Sequence, residues 1–188
     1  MEKPTSGSAF YRVLGIDPGG DAIGFAVLSY HLETHRTALT YAHTLKASKV
    51  VRHYPEVSER YGDRFARQVV IRTQYEALLK RFSPQAVACE SPFLGRFPQA
   101  FMSLTECLQT LRIATFDNDP GLAFDLIDPK SVKKAVDTDP GKKDKTLVAR
   151  GVNALGLDNL TGRPILSYDE HTTDAIAVAW WRLKPLIT

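Results

Sequence analysis

Residues 13–28, VLGIDPGGDAIGFAVL, constrain this chain more than any other stretch. The apolar runs VLGI and FAVL read as β-strands, and the few residues between them allow only a tight antiparallel connection. Asp17 closes the first run at a point where that strand still heads into a core. A charged carboxylate buried there without a partner costs several kcal/mol. Something must therefore face it.

The short connections extend this pair into a meander of three strands, 10–17, 22–30 and the alternating TALTYAHTL at 37–45. SERYGDRFARQVVIRTQYEALLKRF, residues 58–82, reads as one long amphipathic helix with Ser58 as N-cap and Pro84 beyond its end. QAVACE (85–90) is a short apolar strand that finishes on Glu90 and breaks at Pro92. A helix near 99–115 and a strand at LAFDLI (122–127) follow. DPKSVKKAV opens the next helix, with Asp128 as N-cap and Pro129 in the first turn. The loop TDPGKK leads into a helix through KTLVARGVNALG, closed by Gly156, and YDEHTTDAIAVAWWRL is a final alanine-rich helix. The order βββ-α-β-α-β-α predicts an α/β layer fold. Its mixed five-stranded sheet, an antiparallel meander plus two parallel strands, is flanked by helices. Residues 1–9 are expected to be a flexible tail and residues 10–188 a single domain.

With 188 residues, the chain is long enough to close a core without disulfides or structural metals. Cys89 and Cys107 lie in apolar runs without metal or redox spacing, and read as small core residues in a reducing compartment. No signal peptide, repeat or apolar run of membrane-spanning length is evident, which points to the cytoplasm and to no membrane partner. The net charge of +3 says less than its distribution. Arg52, Arg60, Arg64, Arg67 and Arg72 fall in one segment, and Lys130, Lys133, Lys134, Lys142, Lys143 and Lys145 in another. Basic surface around strand-end carboxylates suits a protein that holds and cuts a phosphodiester backbone. Solvated helix faces with mixed charge account for the same residues equally well.

Three separated places supply metal-ligand side chains. Asp17 ends the first strand, Glu90 ends the fourth, and His171 and Asp174 in DEHTTDA share one face of the last helix. If these elements meet, their carboxylates repel one another and raise each other's pKa. A divalent cation removes that penalty, and hard oxygen donors suit Mg²⁺ or Mn²⁺. Each residue also has a plainer reading. Asp17 fits a turn or cap, Glu90 a strand-end surface site and His171 a local pair at the helix start. Asp169 and Glu170 fit the helix macrodipole. Asp174 is the exception, because the residues after it are almost wholly apolar.

GIDPG at 15–19 with Gly24, Glu90 with Phe93 three residues on, KSVKKAV (130–136), GKKDKTLVARGV (141–152) and HTTDAIAVA (171–179) together resemble the RuvC family of Holliday junction resolvases. The resemblance runs from about Tyr11 to Trp181. It implies an RNase H-like fold, a homodimer with one active site per strand cut, and a four-way DNA junction as substrate. It implies metal ligands at Asp17, Glu90, His171 and Asp174 holding Mg²⁺, with Mn²⁺ as substitute and two ions per site. Asp169 and Glu170 rank behind His171. Lys133 and Lys145 match lysines that approach the scissile phosphate, and Phe93 an aromatic that stacks on bases. Lys130, Lys134, Lys142, Lys143, Arg64 and Arg67 are candidate contacts to the DNA backbone. The hairpin glycines then read as room for DNA and metal to approach. Other nucleases of this fold, acting on RNA–DNA hybrids or flaps, remain open. So does an actin-like or sugar-kinase phosphate loop, although the single hairpin and short chain disfavour it.

Overall fold

The computed structural model describes residues 9–92, 98–142, 144 and 146–187. Phe93, Lys143, Lys145 and residues 1–8 of the expected tail lie outside the described residues. Strands β1 (Phe10–Asp17), β2 (Ala22–His31) and β3 (Thr37–Lys46) form the antiparallel meander. Strand β4 (Ala86–Glu90) runs parallel to β1, and β5 (Ala123–Ile127) parallel to β4. The sheet has six strands, not five. A sixth, β6 (Asp158–Asn159), pairs parallel with β3 to give the order β5-β4-β1-β2-β3-β6. Two polar residues carry no alternation from which a strand can be read.

Helices α1 (Ala47–Val51), α3 (Asp63–Phe82) and α4 (Pro98–Asn118) cover one face of the sheet, and α2 (Pro55–Tyr61) rests on α3. The helix expected over 58–82 is therefore two helices. Gly62 separates them at φ 84° and ψ 152°, a conformation that is almost exclusive to glycine. Ser58 lies inside α2 and caps nothing; its carbonyl accepts the Gly62 N–H. Helices α5 (Pro129–Ala135), α6 (Thr146–Ala154) and α7 (Glu170–Leu183) cover the other face. Asp128 caps α5 as expected, accepting from the backbone of Lys130 and Ser131 at 3.0 and 3.1 Å.

Alternation along the strands divides two cores. Leu14, Ile16, Phe25, Val27, Val87 and Cys89 face α3 and α4, whereas Val13, Ala26, Leu28 and Ala88 face α7. Gly15 and Asp17 fall in step with Val13, and Gly24 with Ala26, so the floor under α7 is built of small residues. The helix uses the space fully. A Cβ on Gly15 would stand 2.2 Å from the Ala175 carbonyl oxygen and 2.5 Å from the Ala179 nitrogen. One on Gly24 would stand 1.9 Å from the His171 carbonyl oxygen. These two glycines make room for a helix, not for a ligand. At Gly24, one of the hairpin glycines, the structure corrects the expectation of room for a ligand.

Forcing a methyl group into this contact moves backbone against backbone. Gly15→Ala should lower the free energy of unfolding by about 2 kcal/mol or more, as over-packed cores do. Equilibrium urea denaturation checks this, and an unchanged midpoint contradicts the close approach.

Candidate active site

In the parallel register Ile16 pairs with Cys89, so the next positions along the two strands are Asp17 and Glu90. Both carboxylates alternate onto the α7 face, at the carboxyl ends of the parallel strands where open α/β sheets place their ligands. The start of α7 is fixed over them by hydrogen bonds. Asp169 caps the helix, accepting the Thr172 N–H at 2.9 Å. Thr44 of β3 donates to the same carboxylate at 2.6 Å and meets the Thr172 hydroxyl at 2.7 Å. From this anchored turn His171 projects to Asp17, and its Nδ1 lies 2.6 Å from the Asp17 Oδ2.

The cluster is electrostatically strained. The Asp17 side chain is only 14% exposed, and burial pushes its carboxyl up against the pull of the His171 hydrogen bond. Burial, reinforced by the charges of Asp17 and Asp174, pushes Glu90 up to about 8. Burial, reinforced by Asp17 and Glu170, pushes Asp174 up to about 7. The hydrogen bond to Asp17 raises His171 against the opposing effect of burial. Lys133 on α5 lowers both Glu90 and Asp174, so its ammonium lies within electrostatic reach of the cluster.

The structure therefore brings together Asp17, Glu90, His171, Asp174 and Lys133. Direct contact within the set is the Asp17–His171 hydrogen bond; the others are coupled through charge. Among the described residues no three His, Cys, Asp or Glu side chains stand at direct metal-ligating spacing. Asp169 serves the cap. Burial pushes its carboxyl up, but the bonds from Thr44 and Thr172 outweigh this and hold it below the ordinary value. Glu170 is exposed in the first turn and acts on Asp174 through its charge.

The other candidates divide. Lys133 donates from Nζ to the Lys142 carbonyl at 3.2 Å, drawing the loop after α5 back onto that helix. Lys130, Lys134 and Lys142 are exposed beside it. Arg64 instead pairs with Glu106 at 2.5 Å, and the Arg67 Nε donates to the Gly20 carbonyl at 3.1 Å. Thr44 was not anticipated, since a threonine in an alternating strand carries no signal of the helix it anchors 125 residues away.

A mixed sheet with carboxylates at the ends of its parallel strands, roofed by a helix that adds an imidazole and a further carboxylate, defines an RNase H-like nuclease class. The family model described as crossover junction endodeoxyribonuclease RuvC matches residues 13–181, and the chain belongs to that family. A Synechocystis sp. protein of that name is 31% identical over 172 residues, covering 91% of this chain and 90% of its own. One from Thermosipho melanesiensis is 28% identical over 170 residues, covering 90% and 94%. The solved structure of Thermus thermophilus RuvC in complex with a Holliday junction substrate superposes with a TM-score of 0.66 at 23% identity, over 93% of this chain and 96% of that one.

The raised groups set a pH dependence of stability. Asp17, Glu90, Asp174 and His171 all hold protons more tightly folded than unfolded, so stability falls as pH rises through their folded values. In chelator, the thermal midpoint should fall as pH rises from about 4.5, the ordinary value of a glutamate carboxyl, to about 8, where Asp174 and then Glu90 have lost their protons in the folded protein. Glu90→Gln and Asp174→Asn should each flatten that slope. Calorimetry in a pH series reads it, and a slope unchanged in both variants contradicts the buried cluster.

Proposed function

We propose that this protein is a structure-selective endonuclease that resolves four-way DNA junctions, cutting phosphodiester bonds with help from divalent metal to leave 5′-phosphate and 3′-hydroxyl ends. The observation that carries the reading is the convergence of Asp17, Glu90, His171 and Asp174 in a chain of this family.

The donor set fits a hard cation. Three half-buried carboxylates oppose one another, and among the described residues the Lys133 ammonium does not neutralise them. Mg²⁺ bound there, with Mn²⁺ as substitute and two ions per site, would supply activation of water and stabilisation of the leaving 3′ oxygen. The residues of the chain divide the remaining work. Asp17, Glu90 and Asp174 offer oxygen donors held in place by the sheet and by α7. His171 ligates only as neutral imidazole, so acid weakens its part of the site first. Lys133, with Lys145 by resemblance, faces charge that develops on the non-bridging oxygens. Lys130, Lys134 and Lys142, extended by Lys143, give a sequence-neutral grip on the backbone, and Phe93 an aromatic for stacking at the junction centre.

The chain acts as a homodimer in this reading, so that two strands are cut together. Tyr61, Phe65, Met102 and Ile113 form an exposed apolar face on α2–α4, and the buried Gln68 beneath it leaves both amide atoms without a partner among the described residues. An unpaired buried amide costs ~1–3 kcal/mol, which a covering surface recovers. Phe65→Asp should convert a dimer to a monomer in light scattering and uncouple the two nicks. A variant that remains dimeric excludes this face.

The test of function offers a mobile four-way junction, a flap, an RNA–DNA hybrid and linear duplex, with Mg²⁺ or Mn²⁺. Paired symmetric nicks on the junction alone are expected; cutting of the hybrid or flap instead overturns the substrate. Asp17→Asn and Asp174→Asn should keep junction binding and abolish cleavage. Lys133→Ala should slow single-turnover cleavage by about 100-fold with little change in affinity. Intact cutting in either aspartate variant removes the proposed ligand set.

A further inference from the structure

The turn that follows Asp17 is held from outside the acidic cluster. Arg67 on α3 donates from Nε to the Gly20 carbonyl at 3.1 Å. Ser103 on α4 lies directly over Gly20, where a Cβ would stand 1.9 Å from the serine Oγ and 3.0 Å from its Cβ. One helical turn further along α4, buried Cys107 lies near enough to the Gly19 backbone for that backbone to hold its thiol down against the upward push of burial. The two helices are locked in register at this point by Arg64 and Glu106, each within one turn of the residues that touch the turn. Beyond Gly20, the Asp21 carbonyl accepts the Ala47 N–H at 2.8 Å. The Asp21 carboxylate takes the Ser48 N–H at 2.7 Å and the Ser48 hydroxyl at 3.0 Å. The turn is thus fastened on both sides, and its α3–α4 side ends two to three residues from Asp17.

We propose that Arg67, with Ser103 and Cys107, is a positioning unit for catalysis, clamping residues 19–20 so that Asp17 is presented at a fixed place opposite Glu90 and His171. The proposal rests on the reading of Asp17 as a site carboxylate. It removes Arg67 from the DNA-gripping surface. A guanidinium that spends its Nε on a backbone carbonyl, half-buried between α3 and the hairpin, acts on the fold of the turn before it acts on a phosphate. The choice of arginine follows from geometry. Its Nε–H is held in a rigid plane and can bond the carbonyl while the rest of the guanidinium lies along the helix, whereas a lysine ammonium is a strongly hydrated point charge on a flexible stem. Glycine at position 20 follows as well, since a side chain there would meet Ser103 as it stands on α4 and force the serine or the turn to shift.

The experiment compares the wild type with Arg67→Ala, Arg67→Lys, Gly20→Ala and the double variant Gly20→Ala with Ser103→Gly. Backbone hydrogen exchange across residues 17–22 is followed in chelator, so this readout needs no activity. Junction affinity is measured at two salt concentrations, and single-turnover cleavage across a Mg²⁺ series. Both Arg67 variants should exchange faster in the turn, cut about 10-fold more slowly or worse, and need more Mg²⁺ for half-maximal rate, as loss of supporting contacts does. Their junction affinity and its salt slope should stay within about 2-fold of wild type, as a residue making no phosphate contact requires. Gly20→Ala should share the defect, and Ser103→Gly should restore it by vacating the space that the new methyl needs. Arg67→Lys cutting at the wild-type rate overturns the clamp. So does a weakened affinity with a shallower salt slope, which marks Arg67 as a phosphate contact, and so does unchanged exchange in Arg67→Ala. Should the wild type cut a flap or hybrid and not the junction, the substrate reading fails alone. The clamp is then read on that substrate and by exchange.

Discussion

The close approach of α7 to the first two strands is the contact on which the rest of the molecule depends. Gly15 and Gly24 leave the sheet without side chains along the path of the helix, and Ala26 and Ala88 keep the neighbouring positions low. Ala175 and Ala179 complete the fit from the helix side. Contact this tight is specified by backbone atoms, so it admits one height and one rotation of the helix. That rotation turns His171 and Asp174 toward Asp17, and the bonds from Thr44 to Asp169 and Thr172 keep the helix from sliding. A helix seated on leucines would stand higher and carry both side chains away from the strand ends.

Such seating has an electrostatic cost, and the cost identifies the place. Three carboxylates and an imidazole are withdrawn from water and forced to sense one another, which is why Glu90 and Asp174 titrate near neutrality. A fold selected only for stability replaces such a cluster with apolar residues. Among the described residues, the Asp17–His171 hydrogen bond and the Lys133 ammonium offset part of the repulsion, and the rest of it remains. Structural demand explains the glycines; it does not explain the carboxylates.

Much of this was legible in the sequence, because the alternation of β1 and the abrupt end of β4 place Asp17 and Glu90 at strand termini without reference to anything distant. The three-residue spacing of His171 and Asp174 likewise fixes a shared helix face. What stayed hidden was held by contacts between remote segments. Gly62 was read through as part of one helix, since a lone glycine weakens a helical pattern but does not show that the backbone will turn there. The hairpin glycines read as room for a ligand, whereas at Gly20 and Gly24 that space is taken by Ser103 and His171. Asp169 was attributed to the helix macrodipole; its cap on Thr172 is local, but the bond from Thr44 emerges only once β3 is laid beside α7.

The distribution of positive charge shows the same limit in sharper form. Counting arginines between residues 52 and 72 suggests a basic surface for a polyanion, yet Arg64 is paired with Glu106, Arg72 with Glu76 and Asp117, and Arg67 is bonded to a backbone carbonyl. These cations stitch α3 to α4 and to the hairpin. The lysines of α5 and its following loop differ, because a flexible, strongly hydrated ammonium makes poor internal glue and stays exposed at Lys130, Lys134 and Lys142. The segment with the arginines thus ties α3 to α4 and to the hairpin, and Lys130, Lys134 and Lys142 in the other segment meet the solvent. Residue type, read with burial, separates the two roles where net charge merges them.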